Sequence, residues 1–440
     1  MLRAYLGKAY FEEKRSPLDA DQYSLAKSLD PLDPTAYLYD GIRQQSENQP
    51  VAALRNLATS IDLNDNRTVY RSRLLLDKDR AARGASLSRA YRDLGFTQLG
   101  VNESTASLAL DPSNASAHRF LSDTYLGMRR REIARVSELM QAQLMQDINI
   151  NPVQPSVSET NLNIITIGGP ATPGFNEFTP LFERNMAKLD VTGFGGNDDT
   201  YGGEGALTAL YGRFSFSAGA FHYHSEGWRD NNGLDQHIFD VFAQAAITPE
   251  LNIQAEFRRR ESEEGDLAFN FDPDSFLRDK SVEREQDTVR VGLRYAPTPR
   301  SSLLFSYIHG AKEDARIMSA PAFSDIDGGV EVSPFTSFVN AQAGDDGDQF
   351  EGQYIYQRDR LNLVAGLAYS DVDSQSDETV SFFDPDMILV GPPLAVSSKD
   401  RIKHRRGYLY TNINIPTQVT WTLGFSYDDY EEKLLEATSF

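Results

Sequence analysis

Three histidines are the residues best placed by type and spacing to do chemistry. His222 and His224 stand two apart on an alternating stretch, and His237 follows on the next one. A hairpin would bring their imidazoles onto one face, where zinc could be ligated. No carboxylate or fourth ligand is evident beside them, and histidines on a solvated rim are the simpler reading. The runs Asp345-Asp346-Gly347-Asp348 and Asp371-Val372-Asp373 carry oxygens at calcium-like spacing. Both lack the full loop pattern and its closing Glu, so they read as solvated loops. Gly168-Gly169-Pro170-Ala171-Thr172-Pro173-Gly174-Phe175 has neither the Lys-Ser/Thr ending of a phosphate loop nor a dinucleotide fingerprint, which leaves a linker. With no nucleophile elbow and no Ser-His arrangement to single out, no catalytic set, metal site or cofactor is expected.

The other polar residues of interest lie on strands. Phe239, Val241, Ala243, Ala245 and Ile247 alternate with Asp240, Phe242, Gln244 and Ala246. After Pro249-Glu250, Leu251, Ile253, Ala255 and Phe257 alternate with Asn252, Gln254, Glu256 and Arg258. Strict period two places one set on each face of a sheet. A tight turn there, a long polar excursion from Glu261 to Asp287, and a second short turn at Pro297 to Arg300 follow the outer-membrane barrel pattern of brief periplasmic turns and long outer loops. The apolar face would meet lipid. The polar face would line a hydrophilic lumen with Arg213, Asn252, Gln254, Glu256, Arg258, Arg290 and Arg294.

The same rhythm runs over residues 188–440. Leu189 begins a first strand, and long loops are expected at 312–348 and 371–406. About eleven strands result, with Tyr307, Tyr369 and Tyr427 at the outer ends as an aromatic girdle. Bacterial single-chain barrels have even strand counts. Since Glu431 to Phe440 does not alternate like a closing strand, the barrel is expected to be partial, with more chain beyond Phe440.

Residues 1–147 show a different period, about 34. Small residues return at Gly7, Gly41, Ser88 and Ser122, with Tyr23, Ala53, Leu57, Ala90, Tyr91 and Leu110 in step and Pro31 and Pro112 closing units. An insertion of about 13 residues, around Arg67 to Arg80, interrupts the register. Small side chains let paired helices approach, and prolines stop them. The pattern resembles the tetratricopeptide repeat, a helix-turn-helix unit whose arrays bind protein segments. That resemblance implies a concave surface carrying Lys8, Ile42, Arg89, Arg92, Arg119 and Asp123, a mildly basic groove for an acidic peptide. Residues 148–187 read as an extended Pro/Asn/Gly connector, with Phe175, Phe178, Leu181 and Phe182 available to pack at the barrel mouth.

Composition supports the division. Of the net charge of −21, nearly all belongs to the strand region, which argues against a nucleic-acid partner. Cysteine is absent, as suits an oxidising periplasm. No run is long and apolar enough for a membrane helix. Met1 falls inside a repeat and no signal peptide is visible, so the chain is expected to be a fragment. Periplasmic repeats joined to a barrel resemble exopolysaccharide exporters of the outer membrane. The widely spaced strands also resemble the barrels of TonB-dependent receptors, although no plug domain precedes them. Gly168 to Phe182 resembles a segment of large bacterial proteins that join such repeats to a barrel. These resemblances imply an outer-membrane export or translocation component, with a periplasmic protein or peptide on the repeats, lipid around the strands, and polysaccharide as a candidate cargo. The alternative is a non-conducting scaffold whose barrel only anchors the repeats.

Overall fold

The computed structural model describes residues 1–68, 72–125, 128, 132–145, 185–268, 276–326, 329–416 and 419–439. The connector at 148–184, with Gly168 to Phe182, lies outside the described residues.

Eight α-helices come first: α1 (Leu2–Glu12), α2 (Leu18–Leu29), α3 (Pro34–Ser46), α4 (Pro50–Asp62), α5 (Arg73–Asp93), α6 (Thr97–Leu110), α7 (Ala115–Tyr125) and α8 (Glu132–Met145). They pack as successive pairs. Pro34 and Pro50 open their helices, where a missing N–H costs nothing, and the Asp33 carboxylate caps α3 by accepting from Thr35 N at 3.0 Å. The repeat has a steric basis. A Cβ at Gly7 would lie 2.7 Å from the Tyr23 ring, and one at Gly41 would lie 2.9 Å from Leu57, so the same close approach recurs in the second unit. In the third unit Ser88 takes that position and donates to Gly100 O at 2.7 Å. Ser122, the fourth, is buried.

The insertion does not break the array. A 3-10 turn, Asn64–Arg67, leads into it, and its residues from Arg73 onward form the first turns of α5, which runs for 21 residues. The buried guanidinium of Arg83 fastens this longer helix, its Nε donating to Ser60 Oγ at 2.8 Å and its Nη1 to Asn64 Oδ1.

Eleven strands follow: β1 (Met186–Gly195), β2 (Tyr201–Tyr211), β3 (Phe214–Ser225), β4 (Leu234–Ala246), β5 (Leu251–Glu264), β6 (Ser281–Thr298), β7 (Ser301–Ile326), β8 (Gly329–Arg358), β9 (Leu361–Phe383), β10 (Leu394–Ile413) and β11 (Trp421–Ser439). Each pairs antiparallel with the next in a single meander. Among the described residues, the strand number and the short turns after β2, β4, β6 and β8 are those read from sequence.

The expected long loops are different. Residues 312–348 and 371–406 are largely strand, since β7 runs for 26 residues and β8 for 30 before turning. At roughly 3.3 Å per residue, β7 is about 85 Å long, several times the apolar band of about 25 Å that a membrane covers. Residues 431–439 likewise continue β11, paired to β10 from Lys403↔Glu431 to Val396↔Ser439. These arms need no apolar alternation, because water solvates both faces while the ladder satisfies the backbone.

The two faces of the sheet contrast as the alternation requires. One exposes Phe239, Ile253, Phe257, Val291, Phe305, Phe350, Leu367 and Phe425, with Leu367 74% exposed. Contiguous apolar exposure on this scale calls for a nonaqueous covering. On most strands the band ends abruptly: Phe257 gives way to Arg259, Val289 to Asp287, Tyr307 to His309 and Tyr369 to Asp371. The Tyr307 and Tyr369 hydroxyls donate across the edge to Asp348 at 2.7 Å and Asp371 at 3.0 Å. Apolar ring and polar tip in that order suit a membrane interface. The edge also cuts across paired rows. The row through His237 on β4 reaches Glu261, Glu285 and then Glu313 on β7, well past Tyr307, as tilted strands crossing a flat slab would require.

Candidate functional site

The other face is where the two halves of the chain meet. Helix α8 lies against β5, β6 and β7. Met140 and Leu144, four residues apart and so on one side of α8, are buried with Leu304, Ile308 and Ile355 of the sheet. Between them and the strands Gln143 serves as a polar pin. Its Nε2 donates to Glu256 Oε2 at 3.2 Å, its Oε1 accepts from Gln254 Nε2 at 2.8 Å, and its backbone oxygen accepts from Gln244 Nε2 at 3.4 Å. Glu256 is also ion-paired to Arg290, both side chains about 5% exposed. A buried pair of this kind needs every partner, since either charge left alone is costly.

Gly292 makes room for the helix. A Cβ there would come within 3.1 Å of both Leu144 methyls and of the Gln254 side chain. Further along α8, Ser137 Oγ donates to Glu351 Oε2 at 2.8 Å, and Glu351 Oε1 accepts from Tyr408 at 2.7 Å. At the short-turn end the α6–α7 corner is fixed as well: Gln357 Nε2 donates to Asp111 Oδ1 at 2.7 Å, Asn362 Nδ2 to Leu110 O at 3.0 Å and Asn412 Nδ2 to Ala109 O at 2.7 Å. The repeat array is therefore seated on the short-turn end of the sheet and sends its last helix across the polar face.

The polar face expected to line a hydrophilic lumen is covered where α8 lies on it. Asn252, Gln254, Glu256 and Arg290 lie on the polar face as read, but they are buried, and α8 bonds directly to Gln254 and Glu256. Arg258 and Arg294 are half-buried on the same face. Arg213 stands apart, exposed at the β2–β3 turn with Nη1 donating to Ile247 O at 3.1 Å. Among the described residues, helix α8 packs against this polar face of the strands. The sequence carried a signal for this: Leu304, Ile308 and Ile355 are apolar on the polar face, next to the outward-facing Leu303, Tyr307, Tyr354 and Tyr356.

In the repeats, Arg89, Arg92, Arg119 and Asp123 converge between α5 and α7. Arg92 Nη1 lies 3.3 Å from Asp123, and Arg119 Nε 3.0 Å from the same carboxylate. Arg89 is buried beside Asp93 and over the Phe120 ring, and burial lowers its pKa to about 10. Lys8 and Ile42 belong elsewhere. Lys8 pairs with Glu12 at 3.6 Å, and Ile42 packs in the core with Tyr23 and Tyr39. The expected groove is thus partly core, and its arginines are already balanced by aspartates.

His118 joins α7 to α8. Its Nδ1 meets Glu138 at 2.5 Å and its Nε2 meets Pro112 O at 3.0 Å. Both partners are acceptors, so both nitrogens must carry protons. Burial opposes that charge, but Glu138 outweighs it and the His118 pKa is raised above its ordinary 6.5.

The acidic runs read as loops lie on strands. Asp346 faces Asp373 and Asp348 faces Asp371 across β8 and β9. Arg401 grips Asp371 with two bonds of 2.7 Å, and Tyr307 and His309 engage Asp348, so these carboxylates are already partnered. The histidine pairing expected from sequence is closer than anticipated and includes a carboxylate: His222 sits directly opposite His237, and His224 opposite Asp235.

No family model and no curated protein matches this chain. Solved structures similar to parts of it include two tetratricopeptide-repeat proteins, each over 32% of this chain. One is the APC/C hetero-tetramer Cut9–Hcn1 (18% identity, 26% of that chain, TM-score 0.29), the other MamA (21% identity, 74% of that chain, TM-score 0.26). The ferripyoverdine receptor of the outer membrane of Pseudomonas aeruginosa is similar over 60% of this chain and 39% of its own (14% identity, TM-score 0.45). This chain thus spans well under half of the first and third of these. The two-part fold rests on the packing and registers described above.

Proposed function

We propose that the chain is an outer-membrane translocation component in which the helical array sits on the periplasmic, short-turn side and α8 closes the polar face of the sheet. The observation that carries this reading is the seat of α8, with Gln143 held by Gln244, Gln254 and Glu256 beneath an outer face of exposed apolar side chains. An apolar exterior with a polar interior is what a strand-built conduit in lipid needs. Helix α8 is held there by the hydrogen bonds of Gln143 and by one small apolar cluster around Met140 and Leu144, a contact limited enough to be released. The repeats would then couple a periplasmic protein or peptide to opening, and a hydrophilic polymer such as a polysaccharide would suit the face α8 leaves.

The extent of the same contact favours a second reading, a scaffold. With both α8 and the α6–α7 corner fastened to strands, the sheet would serve as an anchor that orients the repeats. Planar-bilayer conductance separates the two. Wild-type protein should be closed or nearly so, and Leu144→Asp, which drives α8 off Leu304 and Ile308, should open conductance steps. Silence in both, with the variant folded and inserted, would discard translocation and leave the scaffold.

A further inference from the structure

We propose that His222, His237 and Asp235 form a binding site for a borderline divalent transition ion such as Zn²⁺ at the upper edge of the apolar face. One ligand atom from each lies within 4.8 Å of the others, and no other such cluster of histidine and carboxylate occurs among the described residues. Tetrahedral zinc with donors at about 2.1 Å holds them about 3.4 Å apart, so closure needs side-chain adjustments on the order of an ångström. Part of that distance is already covered, since His237 Nε2 is 3.0 Å from Asp235 Oδ1.

The backbone fixes the arrangement. His222 and His237 are cross-strand partners on β3 and β4, and Asp235 precedes His237 by two, so period two puts all three on one face. Their imidazoles stack with centroids 4.4 Å apart and planes 26° apart, which turns two ring edges the same way. Nδ1 of His222 has no hydrogen-bond partner, so no protein group competes for that nitrogen. Nδ1 of His224 lies 2.9 Å from Asp235 Oδ2, and since an ionised carboxylate can only accept, His224 donates and aims the other oxygen at His237. His224 is thus a positioning residue of the kind that sets the affinity of metal carboxylates. Access is open: His222 and His237 line a cleft of about 540 Å³ with Phe239, Arg259 and Glu261. Arg259 takes up the Glu261 carboxylate at 2.5 Å, which leaves Asp235 as the acidic ligand. Two imidazoles and one carboxylate favour zinc, copper or nickel over calcium or magnesium, and a water completes the shell.

Isothermal titration of the full chain in detergent with ZnCl₂ tests the site, with CaCl₂ as the control. The expected result is one Zn²⁺ per chain and no calcium heat, with binding lost in both His222→Ala and Asp235→Asn and weakened about tenfold in His224→Gln. His237 is exposed, so His237→Ala leaves folding untouched and must also abolish the stoichiometric heat. Cu²⁺ electron paramagnetic resonance gives a second readout, with nitrogen hyperfine structure from two imidazoles expected in the wild type. Zinc binding unchanged in His237→Ala, or no stoichiometric binding by the wild type, would overturn the proposal.

Discussion

Replacing Leu144 by alanine probes the seat of α8 at its most buried contact. The Leu144 side chain is 1% exposed, packs with Met140, Leu304, Ile308 and Ile355, and fills the space left by Gly292. Truncating a fully buried leucine costs roughly 3 kcal/mol or more, through lost transfer free energy and the cavity left behind. Leu144 joins two parts of the fold and is not central to either, so most of that cost falls on the docking equilibrium of α8. The polar pins at Gln143 and Ser137 remain. A loss of about 3 kcal/mol raises the undocked population roughly a hundredfold. Amide hydrogen exchange read on peptides covering 139–145 should accelerate by about that factor, while the strand amides of β5 and β6 keep their protection. Unchanged exchange in α8, or equal acceleration throughout the sheet, would refute the argument that α8 is a separately releasable element.

Four further outcomes follow from named contacts. Gly41→Val forces a branched side chain against Leu57, where even a Cβ would sit at 2.9 Å, and should lower repeat stability by about 1–3 kcal/mol in thermal melts. Glu256→Ala leaves Arg290 buried without its partner and should destabilise by about 3–5 kcal/mol in urea unfolding, whereas Arg259→Ala, on the exposed face, should cost far less. The folded-state pKa of His118 is raised, so its stabilisation is fully present below the ordinary value of 6.5 and is lost as pH rises through the higher folded value. Melts of the wild type should therefore fall in midpoint on the alkaline side relative to Glu138→Gln, and parallel profiles would remove the imidazolium clasp. Finally, Arg92, the most exposed arginine of its cluster, tests the groove: Arg92→Glu should reduce capture of an acidic peptide in a pull-down, and unchanged capture would remove the groove from the account.

The parts legible in the sequence were those with local causes. Gly7, Gly41 and Ser88 mark the repeat because the helix facing each leaves no room for a large side chain, and that requirement recurs at every unit. Strand alternation in β3 to β6 was legible because one face carries apolar side chains and the other polar ones. Where both faces carry polar residues, as in the long-loop ends of β7 to β10, the ladder alone holds the strand and the residues look like loop. The seat of α8 depends on pairs such as Gln143 with Glu256, 113 residues apart, which no local pattern encodes. Its trace was the doubling of apolar residues at Leu303-Leu304 and Tyr354-Ile355-Tyr356. Asp235 could have been found from its spacing to His237, but its place opposite His224 required the strand register.

The chain contains two tryptophans, and they fall on opposite sides of the central claim. Trp421 opens β11 on the apolar face, 56% exposed, with its indole Nε1 donating to Ile415 O, while Trp228 lies in the β3–β4 loop beyond the band. In vesicles made with lipids brominated near the headgroup end of the acyl chain, Trp228→Phe protein, which retains Trp421, should lose most of its fluorescence and resist aqueous iodide. Trp421→Phe protein should behave in the opposite way. Quenching of Trp421 by iodide and not by brominated lipid would contradict the account, because the apolar face would then be turned to water or protein.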